Sequence, residues 1–98
     1  MFLIYADRLG PQPNALPGRE AFTALAFSHE LSDDRQSGTV TLQPATRILR
    51  VGTGEYERVR IFGEDGGLVG AITRSPYGHV SWSAPMWTEL NQRQSKMP

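Results

Sequence analysis

The chain has no cysteine, a single lysine, no net charge and no long hydrophobic run, and each lack removes a class of function. Without cysteine there is no disulfide staple, no thiolate zinc site and no thiol nucleophile. The one lysine, Lys96, follows neither glycine cluster, so a P-loop of the Gly-x-x-x-x-Gly-Lys-Ser/Thr type is excluded. Ten basic and ten acidic residues cancel, so no global field steers the chain toward nucleic acid or an anionic membrane. The apolar opening Met1-Phe2-Leu3-Ile4-Tyr5-Ala6 stops at Asp7. It is too short for the core of a signal peptide or for a bilayer span, and cytosolic synthesis is expected.

What is present is β texture. In a chain of 98 residues there is room for one small core, and apolar residues make up only 39%, so support from a partner subunit is expected. The clearest signal is residues 56–74, where two runs rich in Val, Ile and Phe flank the connector Gly63-Glu64-Asp65-Gly66-Gly67. Glycine supplies the positive φ a tight connection needs, and β-branched flanks suit a pleated surface, so this segment reads as a hairpin. Thr39-Val40-Thr41-Leu42 and His79-Val80-Ser81-Trp82-Ser83 alternate polar and apolar residues, as half-buried strands do. Thr46 to Val51 and Phe2 to Ala6 read as further strands.

Residues 20–31 are ambiguous. Ala, Leu and Glu favour helix there, and Phe22, Leu25, Ala26 and His29 would share a helical face. Read as one strand, Thr23, Leu25, Phe27, His29 and Leu31 lie on one side and Phe22, Ala24, Ala26 and Ser28 on the other. The β texture downstream favours the strand. Seven short strands separated by turn signals then predict an all-β fold, a small antiparallel sandwich or barrel. Gly10, Pro11, Pro13, Asn14, Pro17 and Gly18 forbid helix and interrupt a ladder, so an extended Pro/Gly-rich arm is expected. The expected organisation is an N-terminal strand and arm over 1–19, a β-sandwich core over 20–84 and a C-terminal segment and short tail over 85–98.

Candidate chemistry is sparse. His29, Glu30, Asp33 and Asp34 do not follow the ligand alternation of a calcium loop, and zinc would find few imidazoles, so a solvated turn is the better account. Ser28-His29, and Ser81 near His79, are neighbours in sequence only; a nucleophile, base and oxyanion set cannot be named. The pairs Glu55/Glu57 and Glu64/Asp65 sit in turn-rich segments where carboxylates are usual. No catalytic residue, cofactor or metal is expected. Arg58 and Arg60 alternate with Val59 and Ile61, which places Tyr56, Arg58, Arg60 and Phe62 on one strand face. Aromatics interleaved with arginines can stack bases and hold phosphates, or meet an acidic protein. Trp82, on an alternating strand, is expected in the core; Trp87, after Pro85, is expected at an interface.

The order Leu25-Ala26-Phe27-Ser28, a polar loop, Ser37-Gly38-Thr39-Val40-Thr41-Leu42, Thr46-Arg47-Ile48-Leu49-Arg50-Val51 and Ile61-Phe62-Gly63 resembles small tailed-bacteriophage virion proteins. The resemblance implies a β-sandwich that decorates or completes the phage head, often as a trimer. It implies a structural protein rather than an enzyme, with capsid subunits and copies of itself as partners and the virion as its place of action. Leu9, Pro11, Pro13, Leu16 and Pro17 of the arm, with Met86 and Trp87, are the expected partner-binding residues. Two rival readings differ in class: a small phage- or plasmid-encoded inhibitor of one bacterial protein, and a nucleic-acid-binding sheet.

Overall fold

The computed structural model describes residues 1–9 and 18–85. Among these the fold is all-β and contains no helix. Eight strands run in chain order: β1 (Phe2–Arg8), β2 (Arg19–Ala24), β3 (Ala26–Leu31), β4 (Gly38–Gln43), β5 (Arg47–Val51), β6 (Tyr56–Phe62), β7 (Leu68–Arg74) and β8 (Val80–Ser83). The arm residues 10–17, including Pro11, Pro13, Leu16 and Pro17, and the tail from Met86 and Trp87 onward lie outside the described residues.

All strands belong to one hydrogen-bonded sheet, which has two antiparallel sections. In one, β1 lies between β2 and β6, and β7 and β8 continue outward from β6. In the other, β3, β4 and β5 form a meander. A single parallel bridge, Val51 to Tyr56, joins the sections on one side. On the other side the chain itself joins them, bending at Leu25 between β2 and β3.

That bend corrects the reading of residues 20–31 as one strand. In β2 the inward residues are Phe22 and Ala24, whereas in β3 they are Phe27 and Leu31. Leu25 is the unpaired step that switches the parity. Its amide donates to the Gln43 carbonyl at 2.9 Å while its side chain stays 64% exposed. One inserted residue flips every following side chain to the other face, because strand periodicity is two. Seven expected strands thereby become eight.

The core draws on both sections. Ile4 and Ala6 of β1, Val40 and Leu42 of β4, Leu49 and Val51 of β5, Val59 and Ile61 of β6, Ile72 of β7 and Val80 of β8 are buried together. β1 is thus an interior strand that supplies the core. Phe2 meets Phe27 edge to face with centroids 5.1 Å apart, which ties the start of β1 to β3. Trp82 is half-buried against this cluster, as expected for a core tryptophan.

The β6–β7 hairpin follows its sequence. The Gly63 amide donates to the Gly67 carbonyl at 2.9 Å, Gly66 takes φ +83°, and the Asp65 carboxylate accepts from the Gly67 amide at 2.9 Å. Asp closing its own turn in this way is the local chemistry that makes it a turn residue.

Candidate functional site

The side of β2-β1-β6-β7 that faces away from the core forms a grid of three rows. Register places Thr23, Leu3 and Phe62 in the first row, Ala21, Tyr5, Arg60 and Ala71 in the second, and Arg19, Asp7, Arg58 and Thr73 in the third. Arg58, Arg60 and Phe62 therefore share a face, as their spacing predicts.

Tyr56 does not join them. Asp7 pairs with Arg58 but Arg8 pairs with Tyr56, so Glu57 is an extra residue without an opposite number. This β-bulge reverses the parity of the strand below it and turns Tyr56 into the core, where it is 1% exposed. Tyr5, from the neighbouring strand, supplies the aromatic ring of the outer face instead. It meets Phe62 edge to face at 5.6 Å, and the Arg19 guanidinium lies 5.7 Å from its centroid.

The third row is a charge cluster centred on Asp7. One of its carboxylate oxygens accepts from Arg58 Nε at 2.9 Å and pairs with Nη2 at 2.7 Å; the other accepts from Arg19 Nε at 3.2 Å. Arg60 Nη2 stands 3.7 Å away, and Arg60 Nε and Nη2 are buried without a hydrogen-bond partner among the described residues. Burial pushes the Asp7 carboxyl up, but the hydrogen bonds from Arg58 and Arg19 and the pull of Arg58 and Arg60 outweigh it. The net effect holds it below its usual value. Three guanidiniums thus share one carboxylate. A cleft of about 490 Å³ opens here, lined by Asp7, Arg19, Glu57, Arg58, Thr73 and Arg74.

The first row is apolar. Met1, Phe2, Leu3, Tyr5 and Phe62, with Thr23, Gly63, Glu64 and Gly66, line a second hollow of about 670 Å³, and the Met1 ammonium pairs with Glu64 at 2.8 Å. Leu3 is 37% exposed and Met1 60% exposed. An apolar hollow and an arginine cleft lie two to four residues apart along the same strands, a spacing of roughly 7–14 Å.

On the inner side, the bulge that removes Tyr56 from this face creates a polar plug at one end of the core. The Tyr56 hydroxyl donates to the Glu20 carboxylate, which also accepts from Arg8 Nε at 2.8 Å. The Arg8 guanidinium covers the Tyr56 ring at 5.5 Å. The Tyr56 hydrogen bond and then that of Arg8 hold the Glu20 carboxyl below its usual value, and the Glu20 bond and charge raise Arg8. Burial first, and Glu20 second, push the Tyr56 phenol up.

The remaining candidates are accounted for locally. His29 stacks on Trp82, and Asp34 accepts from Ser32 Oγ at 2.6 Å and from the Gln36 amide at 3.1 Å within its own turn. Those two bonds, Ser32 first, lower the Asp34 carboxyl. Among the described residues no three His, Asp or Glu side chains gather where they would hold a metal ion. Ser81 lies exposed on β8, opposite Thr73. Leu9, the described residue of the partner-binding set, is half-buried, and its amide donates to the Glu55 carbonyl at 3.0 Å. The Arg8 amide donates to the Gly18 carbonyl at 2.8 Å, so the described residues on either side of 10–17 lie next to each other. Among the described residues no helix is long and apolar enough to cross a membrane.

The contribution of Tyr5 and Asp7 is invisible in the sequence reading because it arises from β1 lying beside β6, a pairing between residues about fifty positions apart. The alternation Leu3, Tyr5, Asp7 is the only local sign of it. No protein-family model matches the chain, and comparison with curated proteins and with solved structures gives no match.

Proposed function

We propose that this chain is a non-enzymatic structural protein that acts through repeated surface contact, of the kind that decorates or completes a phage head. The supporting observation is the outer sheet face. Tyr5 and Phe62 present an apolar hollow beside three arginines that share one carboxylate, a surface suited to protein contact rather than to a reaction. In this reading the two sections of the sheet close face to face as a small sandwich around the shared core. Symmetry multiplies modest contacts, so avidity takes the place of a deep pocket. Capsid subunits would be held in the virion by the arm residues Leu9, Pro11, Pro13, Leu16 and Pro17 and by Met86 and Trp87.

The nucleic-acid reading is weaker on this geometry. Asp7 sits within the arginine row, where it neutralises Arg58 and repels a phosphodiester, and the Tyr5 and Phe62 rings meet each other edge to face. The inhibitor reading requires a monomer acting on one target. Co-sedimentation of the purified chain with assembled phage heads separates the readings. Binding at a fixed stoichiometry, with heads made more resistant to heat, is the expected result. Heads that neither bind the chain nor gain stability overturn the proposal.

A further inference from the structure

The end of the sheet that holds the apolar hollow is also the end at which β8 delivers the chain. Antiparallel to β7, β8 runs from Val80, opposite Arg74, to Ser83, opposite Ala71, so its next steps approach the start of β7. There Leu68 pairs with Phe62, one wall of the hollow, and Gly63, Glu64 and Gly66 of the β6–β7 turn form the rim. Ala84 and Pro85 end the described chain at this corner. The sequence that follows begins Met86-Trp87-Thr88-Glu89-Leu90 and is mostly polar from Asn91 onward, so its large apolar side chains come at once. On the inner side the corner is closed, because Trp82 packs on Gly70 and leaves no space there for even a β-carbon. On the outer side it is open. Met1 and Leu3 are exposed beside the Tyr5 and Phe62 rings, and the rim charges of the Met1 ammonium and Glu64 satisfy each other.

We propose that the hollow is the seat of this chain's own C-terminal segment, with the Trp87 indole set against Leu3, Tyr5 and Phe62 and Met86 beside it. Reach permits this. Ser83 stands level with Arg60, one row from Phe62 and two strands away. The hollow therefore lies about 10 Å across the sheet and about 7 Å along it. The four residues from Ser83 to Trp87 span about 13 Å, and the length of the indole adds to that. Tethering favours this occupant over a second copy, because a segment held so close to its seat has an effective concentration of order millimolar. Burying one tryptophan also removes more apolar surface from water than any other single side chain could, and it covers a contiguous patch that would otherwise stand bare. The inference goes beyond the surface-contact reading. It says where two of the residues assigned there to a partner, Met86 and Trp87, lie before that partner arrives.

Nuclear Overhauser spectroscopy on the full chain tests this. Contacts from the Trp87 indole to the Leu3 methyl groups and the Phe62 ring are expected, and they should persist on dilution. Leu3→Ser should abolish them. Trp87→Ser should shift the resonances of Leu3, Tyr5 and Phe62, leave those of β3, β4 and β5 in place, and increase binding of the apolar dye anilinonaphthalene sulfonate. Trp87 belongs to none of the eight strands, so that variant keeps the test meaningful if Leu3→Ser fails to fold. A wild-type chain without contacts between Trp87 and the hollow overturns the inference. So do hollow resonances and dye binding that Trp87→Ser leaves unmoved. Contacts found only between differently labelled copies, and lost on dilution, assign the hollow to a second molecule and overturn it as well. Head binding is scored separately by co-sedimentation, so either reading can fail while the other stands.

Discussion

The imidazole of His29 and the indole of Trp82 stack in parallel, 4.0 Å between centroids and 10° between planes, and join β3 of one sheet section to β8 of the other. Phe27 adds a tilted contact to the same indole at 6.1 Å. Beneath the ring lies Gly70, where a β-carbon would overlap Cζ2 and Cη2 of the indole and come within 3.1 Å of the Ser83 carbonyl oxygen. The sections are therefore locked by an aromatic residue that fits only because its floor has no side chain.

Gly70→Ala should accordingly destabilise the fold by about 1–3 kcal/mol, the usual cost of overpacking. Trp82→Ala, which opens the same place, should cost about 2–3 kcal/mol because the indole is half-buried rather than fully enclosed. Urea denaturation followed by far-ultraviolet circular dichroism measures both. If Gly70→Ala is neutral, the indole does not rest where these contacts place it.

Gly52 and Gly66 offer a contrast between two glycines of positive φ. Gly52, at φ +100°, is walled in: a β-carbon there would come within 2.8 Å of Val80 Cγ2 and closer still to the Gln36 carbonyl oxygen. Gly66, at φ +83°, has nothing within 4 Å of that position. Gly66→Ala should cost about 1 kcal/mol, from backbone strain alone. Gly52→Ala adds overpacking to strain and should cost about 2–4 kcal/mol. Thermal melts of the two variants should rank in that order, and equal losses would contradict the wall around Gly52.

Asp7→Asn tests the arginine row. The substitution keeps the shape of the side chain but leaves Arg19, Arg58 and Arg60 facing one another without a carboxylate, so a loss of about 1–3 kcal/mol is expected at neutral pH. The pH dependence has a definite sign. Since the folded-state value of Asp7 lies below its unfolded value, its contribution is fully present above the ordinary aspartate range and disappears as pH falls through the depressed value. The deficit of the variant should shrink on acidification. A deficit that stays constant from neutral to acid pH would mean that charge at Asp7 is not its source.

How much of this was legible follows from the range over which each feature is decided. The Gly63–Gly67 hairpin, the alternation in β4 and β8, and the common face of Arg58, Arg60 and Phe62 are set by residues close together in sequence, and all could be read. The parity switches at Leu25 and Glu57 could not. Each is a single unpaired residue whose position depends on the neighbouring strand, and nothing in Ala24-Leu25-Ala26 or Tyr56-Glu57-Arg58 marks it. The outer face was half visible for the same reason: β6 announced its arginines, but Asp7 and Tyr5 reach them only through the long-range pairing of β1. Tyr56, spaced as if it belonged to that face, sits instead in a plug with Glu20.

That plug makes a prediction at both ends of the pH scale. The Tyr56 hydroxyl donates to Glu20, so Tyr56→Phe removes a hydrogen bond to a charged acceptor and should cost about 1.5–3 kcal/mol at neutral pH. Glu20 lies below its usual value of 4.5, so its share of the stability holds above the ordinary glutamate range and is lost as pH falls. Tyr56 lies above its usual value of 10.0, so its share holds below that value and is lost as pH rises through the elevated one. The difference between the wild-type chain and Tyr56→Phe should therefore be greatest on a plateau between about pH 6 and 9 and shrink on either side. Denaturant unfolding across that span checks it. A difference flat from acid to alkaline pH would show that Tyr56 acts by packing alone, with the ring under Arg8 supplying the stability and the hydroxyl contributing nothing through Glu20.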